Sequence, residues 1–442
     1  MGLRDGRPLR IALLTYSTRP RGGVVHTLSL AEALARAGHE VTVWSLGRGG
    51  DGGFFRWVDP GVRLVTVPFP DVDGEDVGTR ILRSISALGE AFDAVGRGTG
   101  TGGSGYDVVH AEDCISANAV RGACIRTVHH LDTFTTPELA ACHERAIVQP
   151  LAHVCVSAAV AAELSRGWGI RARVIGNGVD AARFAAAAGP GGAGARAAWR
   201  SRLGSYVLAV GGIEPRKGTL DLVEAMAAVR TALPGTALVV AGGETLFDYR
   251  DYRALVDRRA AELGVEPLVL GTVDHDALPA LVAAADAFAF PSTREGFGLA
   301  AMEALAAGVP VVTRDLPVLR EVFGDSVRYA GDPAGLAAGL VDAVTAPAAP
   351  RRASGRALAG SCSWDVAAAA HVELYRDLMA APGPARRGPR RQSRQVTGST
   401  APATIRYVSH SRRPGGCLRR LSGATYRRRA DGTHPRRGGT HA

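Results

Sequence analysis

The sequence predicts an α/β chain of two doubly wound parallel-sheet domains facing a cleft, followed by a disordered basic C-terminal tail. Three observations carry this. Short apolar runs alternate with amphipathic stretches over about residues 8–380, the pattern of strands and helices that builds parallel sheets covered on both faces. The alternation comes as two series separated by the Ala/Gly-rich stretch Ala185 to Gly194, which reads as a linker. The composition then changes abruptly near residue 380: the last stretch holds fifteen Arg, no Lys and a single acid, Asp431. A length of 442 residues suits two or three domains.

In the first series, Arg10–Tyr16 reads as a buried strand, and Val24–Ala37 as a helix stopped by Gly38. Val41–Leu46 and Val62–Val67 are the next strands, and the Gly-rich run Gly96–Gly105 reads as a flexible loop. Tyr106–His110, Arg126–His129, Val154–Ser157 and Ala172–Asn177 complete the series. In the second, strands are expected at Tyr206–Val210, Ala237–Ala241, Leu268–Leu270, Ala287–Phe290 and Pro310–Thr313, with helices at Leu220–Leu233 and Leu299–Ala307. A last helix, Trp364–Met379, carries Trp364, Val366, His371, Leu374, Tyr375 and Leu378 in an amphipathic pattern.

Composition removes several function classes. Hydrophobic residues at 46% and charged residues at 21% are ordinary globular values, so a wholly disordered chain is excluded. The six Cys form no C-x-x-C pair, which argues against a zinc ribbon, a redox motif or a disulfide scaffold. No window approaches 18 uninterrupted apolar residues, and the apolar run near the N-terminus is too short for a signal peptide, so a soluble cytoplasmic protein is expected. The formal charge of +10 is uneven: the tail carries +14 and the rest −4, so the folded body is mildly acidic and specific nucleic-acid binding is not expected of it. The tail is too poor in aliphatic residues to fold and suits weak contact with anionic membrane surfaces.

Ligands of doubly wound sheets sit beyond the carboxyl ends of the strands, so three strand-end loops hold the candidate chemistry. Gly22-Gly23 precedes the first helix, where backbone N–H groups can approach an anion. It is not G-x-G-x-x-G, which disfavours a nicotinamide oxidoreductase. The segment Gly211-Gly-Ile-Glu-Pro-Arg-Lys-Gly218 sets Arg216 and Lys217 at a helix start; Lys217 is the only Lys in a chain with 51 Arg, which points to a need for a compact point charge. The segment Pro291 to Glu303 places Glu295 at a strand end, opens a helix with Phe297-Gly298-Leu299, and brings in Glu303 a little over two turns further on. Two carboxylates on one edge suit sugar hydroxyls. The D-x-D triplets Asp71-Val-Asp73 and Asp274-His-Asp276 lie outside any metal-binding context, and no metal is assigned.

On these residues the chain resembles glycosyltransferase family 4, retaining enzymes of the GT-B fold. The resemblance rests on the E-x7-E pattern from Glu295 to Glu303 with the following Ala-Leu-Ala-Ala-Gly-Val-Pro-Val-Val, on Asn177-Gly-Val-Asp180 with Phe184, and on Gly38-His39-Glu40-Val41. It covers about residues 8–380. It implies that Glu295 and Gly296 contact donor-sugar hydroxyls, that Glu303 holds the nucleotide ribose, and that Lys217 binds the diphosphate beside the helix-opening Phe297, Gly298 and Leu299. His129 matches the active-site His, with His130 adjacent, and Gly23 the loop glycine. Where the family usually has an Arg this chain has Gly212, and Arg216 is the natural substitute.

The resemblance further implies transfer of a sugar from a UDP- or GDP-linked donor to a sugar, lipid or small-molecule acceptor. Configuration is retained and no further cofactor is involved. The expected domains are residues 1–180 on the acceptor side, a linker at 181–200, a nucleotide-sugar domain at 201–363, a helix at 364–380 returning to the first domain, and the tail at 381–442. The alternatives are a non-hydrolysing nucleotide-sugar epimerase of the same architecture, and a polyanion- or membrane-binding module acting through the tail. The N-domain segment Thr79 to Gly105 reads as loops that would line the acceptor pocket.

Overall fold

The computed structural model describes residues 7–49, 52–98, 105–131, 137–242, 249–346 and 348–381. The readings made for residues 382–442 lie outside the described residues. The chain begins with β1 (Arg10–Leu14), α1 (Gly22–Arg36), β2 (Glu40–Arg48), β3 (Val62–Phe69), α2 (Val77–Gly98), β4 (Val108–Ala111) and α3 (Cys114–Ala119). It continues with β5 (Ile125–Val128), α4 (Pro137–Val148), β6 (Ala152–Cys155), α5 (Ala158–Trp168) and β7 (Arg173–Val174). These strands form one parallel sheet in the order β3-β2-β1-β4-β5-β6-β7, the N-lobe.

Two helices follow, α6 (Ala181–Ala188) and α7 (Ala193–Leu203). The second lobe runs β8 (Tyr206–Val210), α8 (Thr219–Ala232), β9 (Ala237–Ala241), α9 (Arg250–Glu262), β10 (Leu268–Gly271), α10 (Leu278–Ala284), β11 (Ala287–Phe290), α11 (Leu299–Ala306), β12 (Val311–Arg314), α12 (Pro317–Phe323), β13 (Arg328–Ala330), α13 (Pro333–Thr345) and α14 (Ala349–Ser361). Its parallel sheet has the order β10-β9-β8-β11-β12-β13. The last helix is α15 (Trp364–Ala380).

Both strand orders reverse direction beside the first strand of the lobe, between β1 and β4 and between β8 and β11. Loops leaving such a pair part to opposite faces and open a crevice at the carboxyl ends. The loops after β1, β4, β8 and β11 are therefore where the topology itself makes room for ligands.

The strands expected from the sequence are present, with ends shifted by up to three residues. β13 was not expected: three residues at a sheet edge give no readable apolar period. The Ala/Gly-rich stretch read as a linker is helical instead. Ala has the highest helix propensity, Asp180 caps the start of α6 by accepting from Arg183 N–H, and Phe184, 1% exposed, anchors the helix in the C-lobe core. Burying that ring is worth about 1.5–3 kcal/mol, more than the few glycines cost. Thr79 to Gly98, read as loop, belongs to the amphipathic helix α2; of the Gly-rich run, residues 99–104 lie outside the described residues.

α15 returns to the N-lobe. Ser363 caps it by accepting from Val366 N–H, and Trp364, Ala367, Ala368, Val372 and Tyr375 join the N-lobe core. Val366, counted in the amphipathic face, is 64% exposed; two residues after Trp364 it points some 200° away around the helix. The two crossings between lobes touch each other: Val179 N–H donates to the Cys362 carbonyl at 2.8 Å. A Cβ on Gly178 would lie 2.4 Å from the Trp364 backbone nitrogen, so only glycine fits there.

Candidate active site

On the C-lobe side, the loop after β8 is shaped by glycine at two places. Gly218 has φ +66, and a Cβ there would come within 2.2 Å of the Pro291 carbonyl. This close approach sets the turn Pro215–Lys217 against the end of β11, where Thr293 N–H donates to the Arg216 carbonyl at 2.8 Å. Gly298, φ +97, starts α11 in a left-handed conformation. Lys217 Nζ forms an ion pair with Glu295 Oε1 and lies 5.3 Å from the centre of the Phe290 ring. Arg216 reaches the same oxygen at 3.6 Å and pairs with Glu214 at 2.6 Å. A small open pocket lies beside this cluster, lined by Gly211, Gly212, Lys217, Thr219, Pro291 and Ser292.

Glu295 is 11% exposed. Burial pushes its pKa up, but the Lys217 ammonium and Arg216 guanidinium outweigh that and hold the carboxyl at about 2. It is therefore an ionised acceptor at neutral pH. Glu303 has the opposite fate: burial lifts it to about 7, against the pull of Arg183. The two carboxylates of the E-x7-E pattern thus sit in different surroundings, one among cations at the loop and one beside α6.

On the N-lobe side, three acceptor groups converge below the strand ends. Glu112, immediately after β4, is fully buried, and neither carboxylate oxygen has a hydrogen-bond partner among the described residues. His26 Nε2 lies 3.4 Å and His129 Nε2 3.7 Å from Glu112 Oε2. The ligand atoms of His26, Glu112 and His129 all fall within 4.8 Å of one another, so this trio could hold a cation; the D-x-D triplets do not form such a group. Burial drives both imidazoles down to about 3, so they are neutral. His26 Nδ1 contacts Asn177 Oδ1 at 2.9 Å, tying the trio to the first crossing between lobes, and the His26 ring meets Trp364 of the second crossing edge-on at 5.2 Å.

Not every expected site residue lies where the resemblance placed it. A Cβ on Gly23 would lie 3.7 Å from the His129 ring, at ordinary contact distance. His129 turns its Nε2 inward to Glu112, while its carbonyl meets Gly296, where a Cβ would lie 1.6 Å away. His130 is the histidine close enough to Glu295 to act on its charge. Phe297 and Gly298 are buried and Leu299 half-buried at the start of α11. Glu112, His26 and Asn177 gave no signal as a set in the sequence. Only the position of Glu112 at a strand end could have pointed to it.

Comparison with known proteins agrees with this geometry. Residues 20–183 match the family described as Glycosyltransferase Family 4, and residues 200–352 the one described as Glycosyl transferases group 1. The fold and the matched halves define a glycosyltransferase of the GT-B class. A glycogen synthase of Mycobacterium tuberculosis is 30% identical over 421 residues, covering 83% of this chain and 94% of that one. A D-inositol 3-phosphate glycosyltransferase of Salinispora arenicola is 30% identical over 433 residues, covering 86% and 94%. A phosphatidyl-myo-inositol mannosyltransferase of Mycobacterium tuberculosis is 29% identical over 393 residues, covering 83% and 96%. The chain belongs to glycosyltransferase family 4. Among solved structures, sucrose-phosphate synthase from Thermosynechococcus elongatus superposes with a TM-score of 0.66 at 21% identity, covering 84% of this chain and 99% of that one. HepE from Anabaena, solved with UDP and glucose, gives 0.64 at 20%, covering 83% and 99%.

Proposed function

We propose that this glycosyltransferase takes its sugar from a UDP- or GDP-linked donor and transfers it with retention of configuration, without a metal at the diphosphate. The observation that carries the reading is the Lys217–Glu295–Arg216 cluster at the switch point of the C-lobe sheet, beside a pocket lined by Gly211 and Gly212. The related enzymes use different acceptors by name, so similarity alone leaves the acceptor open.

In this reading the diphosphate displaces Glu295 from Lys217. Negative charge grows on the leaving phosphate oxygen as its bond to the anomeric carbon breaks. Lys217, Arg216 and the N–H groups opening α11 stabilise that charge in a partly dry site, where fixed donors act more strongly than in water. Glu295, ionised and released from its partner, accepts from sugar hydroxyls, with Gly296 leaving room for the sugar against the His129 backbone. Glu303 receives ribose hydroxyls. The acceptor oxygen attacks from the face the phosphate leaves, forming the new glycosidic bond, and its proton passes to that phosphate. His129 and His130 line the N-lobe wall, and Gly23 lets the first loop come close.

The test is transfer with EDTA present, with the anomeric configuration of the product read by NMR. We expect retention, and at least a hundredfold lower turnover in Glu295→Gln with unchanged folding. Inverted product, or normal turnover of Glu295→Gln with both UDP- and GDP-sugars, rejects the reading.

A further inference from the structure

The N-lobe wall of the cleft carries positive charge that nothing in the donor reading uses. Tyr16 follows β1, and two guanidiniums lie near its ring: Arg21 Cζ at 5.9 Å and Arg48 Cζ at 5.7 Å from the ring centre. Arg48 ends β2 and is 9% exposed; it donates to Ser84 Oγ of α2 at 3.1 Å and rests against the Phe69 ring at 5.2 Å. Nε of both Arg21 and Arg48 is buried with no hydrogen-bond partner, and neither residue forms an ion pair among the described residues.

The acids nearby are engaged elsewhere. Asp113 accepts from Tyr16 N–H at 3.0 Å and from Ser116 N–H at 2.8 Å. Glu214, which reaches toward Tyr16 from the C-lobe loop, pairs with Arg216 at 2.6 Å. Asp71 acts on Arg48 only at longer range, while Arg80 adds a third cation on the same side. A ring face offsets only part of what burial costs a cation. Like charges held beside one ring are therefore incomplete without an anion, and their forked N–H groups match phosphate.

These residues come from the loop after β1, the end of β2 and the facing turn of α2, at the carboxyl edge of the N-lobe sheet. That is the side of the cleft across from the Lys217 loop. We propose that Arg21 and Arg48 form a subsite for a phosphate group carried by the acceptor. The proposal rests on the donor reading above only for which side the acceptor takes. Its chemistry is a phosphomonoester or phosphodiester, from either a soluble sugar phosphate or a phospholipid headgroup.

The test uses the full chain saturated with UDP, with thermal unfolding followed as inorganic phosphate is added. The Arg-rich stretch beyond residue 382 also attracts anions, but an anion held alike by folded and unfolded chains leaves the melting temperature unchanged. We expect phosphate to raise the melting temperature. The half-saturating concentration should rise at least tenfold in Arg21→Gln and in Arg48→Gln, while that for UDP stays within twofold. Arg21 is half-buried at the surface, so Arg21→Gln stands as the test even if Arg48→Gln does not fold. Competition by glucose 6-phosphate assigns the soluble source, and competition by phosphatidylglycerol vesicles the lipid one. No response to phosphate, an equal response in Arg21→Gln, or competition by neither probe overturns the proposal. A chain that responds to neither UDP nor GDP but shows the Arg21-dependent phosphate response instead rejects the donor reading and leaves the subsite standing.

Discussion

The two walls of the cleft solve the same electrostatic problem in opposite ways. On the C-lobe wall every charged group of the cluster has a partner: Lys217 and Arg216 share Glu295, and Arg216 also holds Glu214. On the N-lobe wall, Glu112 is buried with neither oxygen hydrogen-bonded, and Arg21 and Arg48 pair with no carboxylate, among the described residues. The first wall neutralises its own cations with the Glu295 carboxylate. The second leaves its groups exposed to the cost of burial. A paired site holds its geometry without ligand and must exchange partners to bind; an unpaired site gains most from binding.

The comparison breaks most visibly at Lys217. In Lys217→Ala, affinity for UDP or GDP should fall by about 1.5–3 kcal/mol, roughly ten- to 150-fold, as calorimetry would measure. The same change removes the main partner of Glu295, so acid stability should shift as well. A carboxyl held at about 2 when folded and near 4.5 when unfolded contributes stability above pH 4.5 that is lost as pH falls toward 2. Lys217→Ala should lose that contribution at neutral pH. Unchanged affinity for both nucleotides means that the paired wall is not the phosphate site.

Glu112→Gln sharpens the other side. The change puts an amide of the same shape where two buried carboxyl oxygens find no hydrogen-bond partner among the described residues. The urea midpoint at pH 8 should therefore rise, by about 1–2 kcal/mol of stability. A fall instead shows that a cation fills the His26–Glu112–His129 trio in solution, because the amide would then cost a ligand; metal analysis of the purified chain distinguishes the two.

The smallest expected effect is at Glu303, which belongs to the C-lobe but lies away from its cations. Burial raises its pKa to about 7. The folded state then keeps a proton that the unfolded state loses above pH 4.5, so stability falls as pH rises from 4.5 to 7 and levels off beyond. Glu303→Gln should flatten that slope, gaining on the order of 1 kcal/mol at pH 8. A pH profile of unfolding identical to that of the unchanged chain places Glu303 in water, not in the protein.

How much of this was legible beforehand follows the same division. The Lys217 and Glu295 segments are short, contiguous and bounded by glycines, so a local reading of the sequence found them, and α11 opens where Phe297-Gly298-Leu299 said it would. The trio joins His26 of helix α1 to Glu112 and His129, which follow β4 and β5 about a hundred positions further on, and no local pattern marks such a set. The stretch Ala185 to Gly194, which spans the end of α6 and the start of α7, was misread because glycine content masked alanine propensity and the anchoring of Phe184.

The sequence by itself determined the two parallel sheets and the charged loop after β8, because apolar period, glycine punctuation and charge spacing act within a dozen residues. Only the tertiary structure decided which groups lack partners. The strand order sets β1 beside β4 and β2, and that placement brings Glu112 close to His129 and both Arg21 and Arg48 close to the Tyr16 ring. Whether a charge is paired depends on what the fold carries to within a few ångströms of it, a distance along which the chain order holds no information.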